Sequence, residues 1–194
     1  RTELTNALDK VFIRNIITNE EEELIFTDEK VYDPSVSLRQ KDRDTDEIYI
    51  SYSTPKTQNR TYLYNIKTKE KKLVKEQIIP SGHEPNDYIV ERLECPSHDG
   101  RVVPITITRH KNTPIDGSAE LLLYGYGSYG HSMSPTFSST RLSLIKRNII
   151  WATAHIRGGM ERGMKWWKEG KLLNKKNTFK DYIACAKFLI ETKY

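Results

Sequence analysis

Residues 121–130, LLLYGYGSYG, run an apolar segment straight into a glycine-rich loop carrying one serine, Ser128, and three tyrosines, Tyr124, Tyr126 and Tyr129. A serine on a sharp turn after a strand can be an acyl-transfer nucleophile. That turn needs glycine two positions to either side, G-x-S-x-G, because side chains there collide with the strained backbone. Ser128 has Tyr126 at minus two, and Ser132, which follows Gly130 by two, has Ser134 at plus two. None of the serines in the 194 residues meets the pattern. The chemistry left to the loop is electrostatic. Open α/β sheets bind ligands at the carboxyl ends of their strands, and acyl-transfer enzymes aim a donor from such a loop at the developing oxyanion. The Tyr126 hydroxyl is a donor of that kind. A second reading stays open, an ordinary strand-to-helix loop with glycines at positive φ and tyrosines packing its rim.

Other constellations carry less. Gly125, Gly127 and Gly130 have GxGxxG spacing, but no acidic residue stands about 20 positions on, where a dinucleotide ribose would need one. The five histidines, His83, His98, His110, His131 and His155, form neither HExxH nor a helical pair, so no metal and no cofactor is expected. His155 and Arg157 close a presumed strand and read as a network holding the next loop. Trp151, Trp166 and Trp167 read as packing.

The elements that must position this loop follow from residue alternation. Glu47–Ser53, Arg60–Ile66 and Lys71–Glu76 read as an antiparallel meander, with Val11–Ile17 and Glu23–Thr27 as strands of a neighbouring unit. A small sheet with two apolar faces needs neighbours to cover them, as propeller blades do. Prolines, a glycine and polar residues over 79–87 mark a boundary. Beyond it, YIVERLECPS and RVVPITITR flank the turn HDG as a hairpin, with Pro104 pointing to an interrupted or edge strand. Then come the strand 120–124, a helix over 140–147, the strand 149–156 and a helix over 178–192 opened by a Thr178/Asp181 capping box. Strand, helix, strand predicts an α/β sheet with crossover helices.

Composition narrows the classes. At 37% hydrophobic the chain has enough apolar residues for a core, so disorder is not expected. Its apolar runs fall far short of the roughly 20 residues that cross a bilayer, so no membrane partner is expected. Cys95 and Cys185 offer neither a disulfide framework nor a zinc set; they read as a buried pair in a reducing compartment, and a cytoplasmic location is expected. The net charge of +5 raises nucleic acid as a partner. The lysines, however, are interleaved with acids: Lys67, Lys69, Lys71, Lys72 and Lys75 with Glu70 and Glu76, and Lys171, Lys175 and Lys176 with Glu169 and Asp181. Both clusters read as solvated faces, with no nucleic acid expected. The chain starts at Arg1 and stops at Tyr194 inside a helical pattern, so both ends read as cuts.

LLLYGYGSYG, FSSTRLSL (137–144), AHIRGG (154–159) and GKLLNKKNTFKDYIACA (170–186), in that order, resemble the prolyl oligopeptidase family, most closely its oligopeptidase B branch. The resemblance is dense from about Tyr88 onward and looser before it. It implies the N-terminal part of an α/β-hydrolase peptidase domain over 81–194. Residues 1–80 would then be a partial β-propeller, its last blade and part of the one before. It also implies a serine peptidase acting on short peptides after arginine or lysine, with the Tyr126 hydroxyl in the oxyanion hole and Tyr129 lining the substrate pocket. The family's nucleophile, in a GGSxGG turn on the next strand, its aspartate and histidine, and the acids that read a basic side chain all fall outside these 194 positions. The chain alone is therefore expected to be inactive. Short basic peptides and the other half of the domain as a separate chain are its expected partners, and the strand 120–124 would have a bare edge. Where the family reads Gly-Gly-Gly-Glu this chain has Gly158, Gly159, Met160 and Glu161; if the third position needs positive φ, Met160 strains the loop by about 1–2 kcal/mol. Two other classes remain, a non-catalytic module that holds peptide or nucleic acid, and a degenerate gene remnant.

Overall fold

Alternation of apolar and polar residues builds the first half of the chain into two antiparallel sheets. The computed structural model describes residues 1–25, 27–38 and 45–194. β1 (Thr2–Thr5), β2 (Leu8–Arg14) and β3 (Glu21–Glu23) form the first sheet in that order. β1 and β2 are joined through Asn6 and Ala7, both at positive φ, as a two-residue hairpin with right-handed strand twist requires. β2 ends before the expected Ile17 because the Asn15 side chain accepts from the amides of Ile17 and Thr18, a local turn that outcompetes the ladder. Of the strand expected over 23–27, only Glu23 lies in β3, and Phe26 lies outside the described residues.

The second sheet is the meander read from sequence, β5 (Glu47–Ser53), β6 (Arg60–Asn65) and β7 (Lys71–Glu76), with a fourth strand, β4 (Asp33–Leu38), on its outer edge. The segment DPSVSL lacks the β-branched and aromatic density that announces a strand, and its Pro34 is tolerated because β4 is an edge. Val11 of β2 and Leu24, just past β3, share a buried cluster with Ile50, Tyr52 and Tyr64 of the second sheet, so the two units cover each other's apolar residues.

The third sheet positions the candidate site. It comprises β8 (Tyr88–Pro96), β9 (Val102–His110), β10 (Leu121–Tyr124) and β11 (Ile150–Ala154), in the order β10-β11-β9-β8. β8, β9 and β11 pair antiparallel, whereas β10 and β11 run parallel, connected through helix α1 (Ser139–Ile145). Among the described residues β10 pairs with β11 alone. Contrary to the expectation from Pro104, β9 is an uninterrupted interior strand. The reason is positional. Pro104 turns its carbonyl towards the end of β11, where it accepts from the His155 amide just beyond the last residue pair, so the missing N–H falls where that ladder is already ending.

Helix α2 (Met164–Lys168), which the sequence pattern did not reveal, inserts Trp166 into the core, with its indole N–H donating to the His155 carbonyl at 3.1 Å. Helix α3 (Lys176–Glu191) packs Cys185 and Leu189 against the sheet. Cys95 joins them in the same cluster as a second buried free cysteine, and burial pushes both thiols up. The expected capping box is absent: α3 starts at Lys176, and neither Thr178 nor Asp181 serves its end. Thr178 Oγ1 donates instead to the Arg157 carbonyl at 2.7 Å. Asp181, fully buried, accepts from Arg157 Nε at 2.8 Å, Arg157 Nη2 at 2.6 Å and Ser97 Oγ at 2.5 Å. Arg157 also reaches Asp99 at 2.6 Å. The His155 and Arg157 region is thus the structural network expected. Among the described residues no helix is long and apolar enough to cross a membrane.

Removing one partner of a buried pair leaves the other charge uncompensated, which costs about 3–5 kcal/mol. Arg157 keeps Asp99 as a partner in Asp181→Ala, so that change is expected to lower the stability of the chain by less than this, about 1–3 kcal/mol, read from the urea midpoint, while Asp181→Asn, which still accepts one bond, loses still less.

Candidate functional site

Where β10 ends, two loops are pressed together backbone to backbone. Gly127 sits at φ +61, and a β-carbon there would lie 2.6 Å from Thr178 Cγ2 and 2.8 Å from the Arg157 carbonyl oxygen. Gly158, at φ +102, is more confined: its β-carbon would meet the Gly127 carbonyl oxygen at 2.0 Å. Both positions require glycine on space as well as on φ. The Gly130 amide then donates to the Gly158 carbonyl at 2.9 Å, which closes the loop 125–130 on the loop that follows β11.

That closure aims the tyrosines. Tyr126 is 43% exposed, with its ring edge-on to His131 at a centroid distance of 5.7 Å. Tyr129, at φ +55, is 90% exposed. With Tyr124, Gly130, His131 and Met133 they line an open cleft of about 660 Å³ at the carboxyl end of β10. The structure thus brings the two residues singled out from sequence to one surface. Tyr129 also borders a second cleft, of about 470 Å³, on the side of Trp167, Lys171, Leu172 and Lys175.

Three fasteners escaped the sequence reading. Lys175, taken there as part of a solvated face, donates from Nζ to the Gly127 carbonyl at 2.5 Å and to Ser128 Oγ at 2.7 Å, and burial lowers its pKa. It clamps the glycine loop from the foot of α3. The acids expected beside it are engaged elsewhere: Asp181 with Arg157, and Glu169 with Arg101 at 2.7 Å. Glu161, 1% exposed, accepts the Met133 amide on Oε1 at 3.1 Å, and its backbone carbonyl accepts the Ala7 amide at 2.7 Å. Arg92 donates to the Asn6 carbonyl, to Thr106 Oγ1 at 2.6 Å and to His155 Nε2 at 3.0 Å. The β1–β2 hairpin is thereby bolted to the loop that carries His131 and Met133. No local spacing announces such contacts, because their partners lie 14 to 154 residues apart.

Met160 does not strain its loop. Its φ is not positive, and its Sδ covers Gly130, where a β-carbon would sit 3.1 Å away. The left-handed residue here is Gly158, two positions earlier.

Charges beneath the loop are unusual. Burial, then the neighbouring Arg92, push His155 well below the ordinary histidine value, so the ring is neutral and its Nε2 accepts from Arg92. Burial lowers Arg92 to about 10 and raises the carboxyl of Glu161 above its usual range. His155 Nδ1, Glu161 Oε2 and Arg92 Nε are buried without a partner among the described residues.

Residues 135–194 match the model of the prolyl oligopeptidase family. The likeness extends further in individual relatives. Dipeptidyl aminopeptidase BI of Pseudoxanthomonas mexicana is 39% identical over 193 residues, covering 99% of this chain and 26% of that protein. Protease 2 of Moraxella lacunata is 35% identical over 97% of this chain and 27% of its own length. The structure of oligopeptidase B from Trypanosoma brucei with covalently bound antipain, in its closed form, superposes with a TM-score of 0.85 at 34% identity, covering 96% of this chain and 27% of that one. Fold and relatives together make this chain similar to one part of peptidase-type hydrolases. It belongs to the prolyl oligopeptidase family, close to oligopeptidase B, and spans about a quarter of the length of these relatives.

The buried imidazole has a consequence for stability. Because the folded pKa of His155 lies below its unfolded value of about 6.5, acidification below that pH protonates the unfolded chain first, and the stability contributed by the neutral ring is lost as pH falls. Glu161, raised when folded, works in the opposite sense on acidification. Comparing the chain with His155→Gln by urea unfolding isolates the histidine. The stability difference between the two is expected to shrink by about 1 kcal/mol from pH 6.5 to 5.5, the unfolded imidazole being half-protonated at the start of that range, and a constant difference would refute the neutral buried ring.

Proposed function

We propose that this chain supplies the oxyanion-binding portion of a serine peptidase that acts on short peptides after arginine or lysine. In this reading the sheet β10-β11-β9-β8 is the first part of an α/β-hydrolase sheet over 81–194, and the two antiparallel sheets over 1–80 are the last blade of a β-propeller and part of the one before. The parallel β10–β11 pair with its helical crossover supports the first assignment, and the core shared between neighbouring antiparallel sheets supports the second.

The observation that carries the proposal is Tyr126, held half-exposed in a cleft at the carboxyl end of β10 by a loop with no room to relax. A tyrosine hydroxyl fixed there stabilises a tetrahedral oxyanion without reorganising when the charge develops. Tyr129 forms the substrate-facing wall beside it. Ser128 is unsuited as nucleophile, since it lacks the elbow glycines and its oxygen accepts from an ammonium group. The serine, histidine and aspartate of the triad come from family segments outside these 194 residues, in the same or a separate chain, pairing along the free edge of β10. No acidic side chain of the described residues lines the tyrosine cleft, so the carboxylates that read a basic substrate belong to the same completing segment. Two free thiols in the core fit a reducing, cytoplasmic setting.

The 194-residue chain is expected to resist stoichiometric labelling by a fluorophosphonate and to leave arginyl and lysyl peptide amides intact. Co-expressed with a segment that carries the GGSxGG serine, the aspartate and the histidine, the assembly is expected to be labelled and to cleave those amides, and Tyr126→Phe in it then lowers kcat by about 10² to 10³ with KM little changed. Labelling of a serine in the chain alone, or an unaltered kcat in Tyr126→Phe, would sink the proposal.

A further inference from the structure

The cleft on the far side of Tyr129 holds a surplus of hydrogen-bond donors and no acid. Lys171 and Lys175 both line it, together with the Ser128 hydroxyl. No carboxylate of the described residues lies within ion-pair distance of either lysine. Lys175 commits two of its three N–H bonds, to the Gly127 carbonyl and to Ser128 Oγ. Ser128 accepts that bond, which leaves its own proton to donate. Lys171 stands over the Trp167 ring at 3.5 Å, a contact that fixes the cation without neutralising it. Two ammonium groups on one cleft without a counter-charge repel each other, an arrangement that an anion relieves.

The remaining walls specify what the anion is attached to. Tyr129, Trp167 and Leu172 give the cleft apolar faces, and Leu172 is 83% exposed at φ +50, held out of the core. A bare inorganic anion would use the lysines and leave these faces wet. The same Tyr129 separates this cleft from the one that contains Tyr126. A ligand spanning both would place a carbonyl at Tyr126 and a charged terminus a short distance along.

We propose that Lys171, Lys175 and Ser128 form a subsite for the C-terminal carboxylate of a short peptide, with Tyr129, Trp167 and Leu172 packing its last side chain. The subsite rests on the reading of the chain as part of a peptidase, and it makes a free carboxyl terminus a feature that this protein selects. Lys175 serves twice, as the clamp on the glycine loop and as one of the two cations.

Binding to the 194-residue chain tests this without catalysis, so its outcome is separate from that of Tyr126→Phe. Calorimetric titration with N-acetyl-Ala-Ala-Leu as free acid is expected to give at least tenfold tighter binding than the same peptide as its C-terminal amide. Lys171→Gln, at a half-buried position that takes no part in the loop clamp, is expected to weaken the acid about tenfold and leave the amide unaltered, with an unchanged circular dichroism spectrum. Inorganic phosphate is expected to compete only weakly. Equal affinity for acid and amide would overturn the subsite. So would phosphate binding as tightly as the peptide acid, or Lys171→Gln weakening both peptides alike.

Discussion

The cleft exists because the backbones around Gly127 and Gly158 lie closer than a methyl group allows. Gly158 stands where a β-carbon would fall on the Gly127 carbonyl oxygen, and Gly170 is equally confined against Arg157 and Gly158. Three glycines from three loops therefore meet at one point, and what they gain is rigidity rather than freedom. A loop bearing an exposed tyrosine would ordinarily sample many conformations. This one is fixed by van der Waals contact on one side and by the Lys175 ammonium on the other, so the orientation of Tyr126 is set before any ligand arrives.

Close backbone approach needs an anchor beneath it, and the anchor is charged. Arg157 directs its guanidinium to Asp181 and Asp99 while its own amide also donates to Asp181, so the chain immediately before Gly158 is held at both backbone and side chain. Bidentate guanidinium–carboxylate geometry is directional, which apolar packing is not. Burying such a pair contributes little net stability compared with hydrophobic residues of similar volume. Its return is registry, since Asp181 belongs to α3, Asp99 to the β8–β9 turn and Arg157 to the loop after β11, and one cation ties the three together.

Much of this was legible in the residues, though unevenly. Period-two alternation identified β5, β6, β8 and β9 because those strands are dense in β-branched and aromatic residues, whereas β7, KKLVKE, was placed by the turn that precedes it. β4 was invisible because a proline and two serines dilute the signal, and its pairing with β5 is decided by the neighbouring strand rather than by itself. The helix α3 was clear from its apolar spacing, yet its start was misread because Thr178 and Asp181, a capping pair by spacing, are spent on Arg157. Tyr126 and Tyr129 were found since a glycine-rich loop after an apolar run is a local pattern. Lys175, Glu161 and Arg92 were not, because each acts on a partner distant in sequence, and a lysine among lysines reads as solvated until its neighbours are known.

The same lysine shows why local charge balance is a poor guide to a site's potential. By sequence, Lys171, Lys175 and Lys176 have acids within a few residues; in space Glu169 turns to Arg101 and Lys165, and Asp181 turns inward to Arg157. The fold withdraws the carboxylates to build its own anchor and leaves the ammonium groups facing the cleft. The buried pair and the uncompensated cations are thus two sides of one arrangement. Neutralising Arg157 with Asp181 strips Lys175 of one of its two nearest acids in sequence, and the positive potential that results lies beside the tyrosines, where an anionic group would be received.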